Sequence, residues 1–207
     1  MRTSRLGLLA ATVVIAVTWE LSLRSAQADY IVTLEQVGPN VVATGSGAFD
    51  LTGLSFVGTF ASGAAMNPST SILAVASGTV DDYVTISGPS SFGTGGATVA
   101  SSSSGDAVAI SGPTGEFFVP HGYISGQVLS DSSTYNNATF SSLGVTPGTY
   151  VWTWGPGADQ KFTLEIKFPT PNNITQCKSN GWRMLSRANG TPFKNQGECI
   201  EYVNTGR

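Results

Sequence analysis

The run Leu143-Gly144-Val145-Thr146-Pro147-Gly148-Thr149-Tyr150-Val151-Trp152-Thr153-Trp154-Gly155 decides the fold class. Pro147-Gly148 suits the central pair of a type II turn, Pro fixing φ at the first position and Gly accepting a positive φ at the second. Strict alternation follows, and in an extended chain it puts Tyr150, Trp152 and Trp154 on one face with Val151 and Thr153 on the other. After Gly155-Pro156-Gly157 a second strand returns from Lys161 to Phe168, with Phe162, Leu164, Ile166 and Phe168 sharing a face. The pair predicts a hairpin lining a core. Were the Tyr/Trp row exposed it would stack on sugar rings, so Tyr150, Trp152 and Trp154 are the candidate ligand-binding residues. Core or cross-strand packing is the commoner use of such a row.

The same pattern spreads outward. Between Tyr30 and Phe168 helical periodicity is hard to find, whereas short β-branched or alternating runs bounded by Gly, Pro, Asn and Ser recur. Tyr30 to Val37 reads as a strand stopping at Gly38-Pro39-Asn40, with Val41 to Phe49 as its hairpin partner. Further candidates are 55–60, 71–75, 83–86, 108–110, 117–119, 125–129 and 138–140. Strands at this spacing predict an all-β fold, an antiparallel β-sandwich of jelly-roll or Ig-like type. A short repeat, D-x-V-x-I-S-G-P, begins at Asp82 and again at Asp106 and reads as two equivalent strand-to-turn corners. Their aspartates, with Asp81, could instead ligate calcium, although no EF-hand or nonapeptide ligand spacing is present. Ser101 to Gly105 and Gly93 to Gly96 have loop composition and are expected to be exposed and mobile.

Residues 1–28 have the three parts of a secretory signal: Arg2 and Arg5, an apolar run from Leu6 to Val17, and Ala26-Gln27-Ala28 as an A-x-A site. The apolar run is short of the ~20 residues a membrane span needs, so cleavage after Ala28 and a secreted, extracellular location are expected. No later segment of the mature chain reads as a membrane span. Charge is segregated along the chain. No Lys or Arg occurs from Asp29 to Gln160, where nine residues are acidic, whereas seven basic residues oppose three acidic ones from Lys161 onward. The two parts should attract, or the basic end docks on an anionic cell-surface polymer. Nucleic acid is an unsuitable partner, because the net charge is −3 and no aromatic platform interleaves the basic residues.

Cys177 and Cys199 are the only cysteines, and behind an export signal they are expected to pair. A zinc site would need further ligands, and the chain has one His. Asn195 with Glu198 three residues on reads as a capping box opening a short helix that ends near Gly206. Trp182, Phe193, Ile200 and Tyr202 would form a small core. The expected organisation is thus a signal peptide (1–28), a β-sandwich domain (29–168), a linker (169–176) and a disulfide-closed basic C-terminal module (177–207).

Catalytic constellations are scarce. His121 is the only imidazole and sits in the turn Pro120-His121-Gly122, and G-x-S-x-G, H-E-x-x-H and Walker-type loops are absent. Two distant carboxylates could converge for glycoside hydrolysis, but nothing singles out a pair. Asn137, Asn173 and Asn189 open N-x-S/T triplets, relevant only on a eukaryotic secretory route. No cofactor is implied.

Gly88 to Gly96 (GPSSFGTGG), Phe118 to Gly126 (FVPHGYISG) and Leu143 to Ile166 (LGVTPGTYVWTWGPGADQKFTLEI) resemble secreted bacterial proteins of the PEP-CTERM-associated kind. In that group a Val-Pro-Glu-Pro sorting tail, a membrane segment and a basic end usually follow. Here Pro169-Thr170-Pro171 leads instead into Cys177-Lys178-Ser179-Asn180-Gly181-Trp182 and Phe193-Lys194-Asn195-Gln196-Gly197-Glu198-Cys199. That module is similar to the C-K-x-G-G-W…F-x-N-Q-G-x-C endings of many small exported bacterial proteins, with Asn180 where the first glycine is common. The resemblance implies bacterial export and a surface or matrix setting. The expected role is a non-enzymatic structural or adhesion module, with cell-surface or matrix polysaccharide as the partner class. The alternative is an exopolysaccharide-binding module using the aromatic row.

Overall fold

The computed structural model describes residues 29–157 and 160–207; the expected signal segment 1–28 and Asp159 lie outside the described residues. The strands in chain order are β1 (Asp29–Val37), β2 (Asn40–Gly47), β3 (Ser55–Ser62), β4 (Ala65–Asn67), β5 (Ile72–Ala74), β6 (Gly78–Val84), β7 (Thr98–Val99), β8 (Ser102–Gly105), β9 (Ala109–Ser111), β10 (Glu116–Pro120), β11 (Leu129–Tyr135), β12 (Gly148–Thr153) and β13 (Lys161–Ile166). Among the described residues the α-helices are α1 (Phe140–Leu143), α2 (Ile174–Cys177) and α3 (Gln196–Thr205). The strands form a six-stranded sheet, β12-β13-β1-β2-β11-β8, and a seven-stranded sheet, β3-β6-β10-β9-β5-β4-β7. The expected sandwich is what the chain builds, with one departure from purely antiparallel pairing. β1 runs parallel to β13, Tyr30 beside Phe162 and Leu34 beside Ile166, so the first and last strands of the body are neighbours.

Alternation assigns the core. In the six-stranded sheet Tyr30, Val32 and Leu34, Val41 and Ala43, and Phe162, Leu164 and Ile166 face inward and are buried. In the facing sheet one row, Tyr83, Phe117, Ile110, Leu73 and Met66, runs in register across five strands. Phe49, on the link between the sheets, has its ring centroid 4.5 Å from that of Tyr30 and 4.6 Å from that of Phe117.

The deciding hairpin is present, Trp152 opposite Phe162 and Tyr150 opposite Leu164, but its entry differs from the expected turn. Gly148 has φ 158°, close to extended, and begins β12 rather than turning the chain. The reversal comes earlier, at α1. Thr139 accepts the amide of Ser142 while the Ser142 hydroxyl accepts that of Thr139, and Gly144 closes the helix at φ 64°. This capping box displaces the strand expected over 138–140. The strand expected over 125–129 starts instead at Leu129, because Tyr123 to Gln127 is held as turns: the Tyr123 hydroxyl donates to the Phe49 carbonyl, and the Phe49 amide donates to that hydroxyl.

Both serine- and glycine-rich stretches are more ordered than their composition predicts. Ser102–Gly105 is an edge strand on β11. Gly95 lies against the Leu143 carbonyl with no space for a Cβ, and the amides of Thr94 and Gly95 both donate to Gly144.

The C-terminal module has its own core. Cys177 and Cys199 are joined, their Cα atoms 5.7 Å apart. Leu185 and Phe193 are buried with them, and Trp182, Ile200, Tyr202 and Val203 pack around. In α3 the Asn195 side chain caps the Glu198 amide at 2.9 Å and Gly206 ends the helix, as its sequence predicts. The Glu198 carboxylate, however, turns to the Lys194 amide and to Arg187 instead of closing the box. The module meets the body where β13 ends: the Ser186 amide and hydroxyl donate to the carbonyls of Pro169 and Phe168.

Candidate functional site

The aromatic row faces the core and so does not present a stacking platform. Trp152 is fully buried and Trp154 is 3% exposed. Each indole satisfies its buried N–H locally, Trp152 Nε1 donating to the Pro89 carbonyl at 3.1 Å and Trp154 Nε1 to the Asp50 carbonyl at 2.7 Å. Trp154 stacks on Phe117 across the sandwich, with ring centroids 5.0 Å apart. Tyr150, half-buried, donates its hydroxyl to the Thr146 carbonyl and meets Phe92 edge-on. The indoles therefore offer no free face to a sugar, whereas Tyr150 keeps part of its ring exposed.

The aspartates singled out as possible cation ligands are separated by the pleat. Asp81 and Asp82 are adjacent in β6 and point to opposite faces of the sheet. Among the described residues no three His, Cys, Asp or Glu side chains form a metal-binding group. Asp81 faces the interior and gathers His121 Nδ1 at 2.8 Å, the Gly122 amide at 2.8 Å and the Thr59 hydroxyl at 2.7 Å. Burial pushes its carboxyl up, but these donors outweigh burial and hold it down at about 2. His121 is exposed, as its turn position predicts, and fastens the loop after β10 to β6.

A second carboxylate lies inside the sandwich. On the inner face of β11, Asp131, Ser133 and Tyr135 follow Leu129 at every second residue. The Tyr30 ring crosses from β1 over Gly45 of β2, leaving no space there for a Cβ, and its hydroxyl faces Asp131. Both Asp131 oxygens and the hydroxyls of Tyr30, Ser133 and Tyr135 are buried and make no hydrogen bond of regular geometry, and the nearness of the Tyr30 hydroxyl partly offsets the effect of burial on Asp131. Burial, with the charge of Asp106, pushes the Asp131 carboxyl up to about 7, and burial pushes the Tyr30 phenol up as well.

The outer faces of the two sheets are chemically opposite. Across the six-stranded sheet one register row reads Thr149, Glu165, Thr33, Thr44, Ser132, Ser104. Across the seven-stranded sheet the corresponding row reads Gly58, Asp82, Phe118, Ala109, Ala74, Ala65, Val99. The three alanines cut a low floor. Phe60 (51% exposed), Ile72 (37% exposed) and Phe118 rise beside it and enclose a groove of about 310 Å³. At one end Ser111 and Thr114 share a 2.5 Å hydrogen bond, and the Thr114 hydroxyl donates to the Glu116 carboxylate at 2.5 Å. Asp82 lies beside this end, one of its oxygens buried with no partner. Burial first, and the Glu116 charge second, raise it to about 6.

The sequence carried a signal for this face. The runs Ile72-Leu73-Ala74-Val75-Ala76 and Ala107-Val108-Ala109-Ile110 are apolar without alternation. A strand with no polar side has two apolar faces, and only one can point at the core. No protein-family model matches this chain, and no curated protein or solved structure matches it.

Proposed function

We propose that the protein is an exported, non-enzymatic structural or adhesion module of the bacterial surface or extracellular matrix, acting through the open face of its seven-stranded sheet. The observation that carries this reading is the contrast between the outer faces: Thr, Ser and Glu cover one, and Phe, Ile and Ala line a groove on the other. An exposed apolar groove in a folded chain is the usual mark of an interaction surface. The disulfide supports an oxidising compartment. No helix among the described residues is long and apolar enough to cross a membrane, and the resemblance of body and module to exported bacterial proteins points the same way.

Fractionation of a bacterium expressing the full chain tests the reading. The expected product begins at Asp29, carries the oxidised Cys177–Cys199 pair and is found in the surface or matrix fraction. An unprocessed, reduced chain confined to the cytoplasm would overturn it.

A further inference from the structure

The groove has a chemical complement on the same molecule. In the C-terminal module α2 packs against the 3₁₀ turn Gly181–Met184. Together they expose an apolar, cationic knob: Ile174 at 37% and Met184 at 38% exposure, with the Arg183 guanidinium 4.6 Å above the Trp182 ring and Lys178 close by in sequence. Arg183 and Lys178 make no ion pair among the described residues, whereas Lys161, Lys167 and Arg187 are paired to Asp29, Glu35 and Glu198. The groove offers the inverse, apolar walls with Glu116 paired across the register to Ser111 at one end, on a body without Lys or Arg from Asp29 to Gln160. No cation of the described residues pairs with Asp82 or Glu116. The chain's own module does not cover the groove, since it is seated at the end of β13 in the opposite sheet and leaves Phe60 and Ile72 open.

We propose that the knob of one copy, Ile174, Lys178, Arg183 and Met184, docks in the outer groove of the seven-stranded sheet of a second copy, at Phe60, Ile72, Phe118 and Glu116. Apolar burial supplies the attraction, and opposite charges set the orientation. Because knob and groove are different surfaces, the contact is head-to-tail. A docked pair leaves a free groove on one copy and a free knob on the other, and with the module seated at the end of β13 in the sheet opposite the groove, repetition gives an open chain or a ring. The inference rests on the structural reading above and gives it a partner: another copy of this protein.

Sedimentation velocity on the mature chain tests it. The wild type should form a concentration-dependent series of oligomers, with association about tenfold weaker at 0.5 M than at 0.05 M salt as the charges are screened. Ile72→Lys blocks the groove and Arg183→Glu with Met184→Asp blocks the knob; each variant alone should be monomeric. Mixed, they retain one intact groove and one intact knob between them and should form a 1:1 heterodimer and nothing larger, which also shows that each is folded. A wild type that is monomeric at every concentration, variants that still self-associate, or a mixture that stays monomeric would each overturn the docking. Fractionation reads the extracellular setting separately, so a chain that assembles but stays in the cytoplasm sinks that reading and leaves the docking intact.

Discussion

The body and the C-terminal module solve the same stability problem by different means. The body closes a large interior between two sheets, large enough to take in Asp131 and the Tyr30 hydroxyl. Of its apolar side chains the module buries only Leu185, Phe193 and the cystine, and it relies on a covalent link and helix caps. The difference is one of scale. A few dozen residues cannot remove enough apolar surface from water to offset chain entropy, whereas a two-layer sandwich can. The body should therefore respond to packing and to pH, and the module to redox state and caps.

Substitutions can break this contrast, and the largest effect belongs to the body. Trp152→Ala empties a fully buried site and leaves the Pro89 carbonyl without its donor. We expect a loss of about 3–5 kcal/mol, read as a lower denaturation midpoint for the whole body; a shift under 1 kcal/mol would contradict the core position of the aromatic row. Next comes acidity. The Asp131 carboxyl is raised from its ordinary value to about 7 in the folded chain, so the folded state holds its proton more tightly. That contribution is complete below about pH 4 and disappears as pH rises through 7, at about 1.4 kcal/mol per pH unit across the window. Asp82 has the same sign around pH 6, and Asp81 the opposite sign, its contribution disappearing only as pH falls through about 2. Thermal unfolding should give a higher Tm at pH 5 than at pH 8, and Asp131→Asn should flatten that slope. A Tm that rises from pH 5 to pH 8 would show that Asp131 is not held neutral.

Redox state then sharpens the comparison from the module's side. Reduction, or Cys177→Ser with Cys199→Ser, should cost the module about 3 kcal/mol by the loop-closure argument. Amide exchange in α3 should accelerate while the strands of the body keep their protection. Uniform loss of protection would mean that the two cores unfold as one. The smallest effect is at the cap: Asn195→Ala removes the bond to the Glu198 amide and should cost about 1 kcal/mol, visible as added fraying of α3 alone.

Periodicity made part of this legible. The alternation of Tyr150 to Trp154 and of Phe162 to Ile166 located the hairpin, and Asn195, Glu198 and Gly206 bracketed α3, because these signals are local and each residue type has a stereochemical reason to be there. The parallel pairing of β1 with β13 was not legible, since register between distant strands is set by which faces complete the core. Ser102–Gly105 has no intrinsic strand preference and is extended because β11 supplies a hydrogen-bonding edge. The groove was half visible: two apolar faces could be inferred for β5 and β9, but not that Ala65, Ala74 and Ala109 would line up across three strands.

The adjacency of β1 and β13 has a kinetic consequence. Glu35 and Lys167, which meet across that seam at 2.7 Å, are 132 positions apart in sequence. When the chain emerges N terminus first, β1 can zip onto β2 at once, yet its other edge stays bare until nearly the whole body has followed. Such an edge is a template for stray pairing during that interval. Completion of the sandwich is thus a late event, timed by arrival of its last strand, and anything that holds newly emerged copies apart until then should raise the yield of native protein.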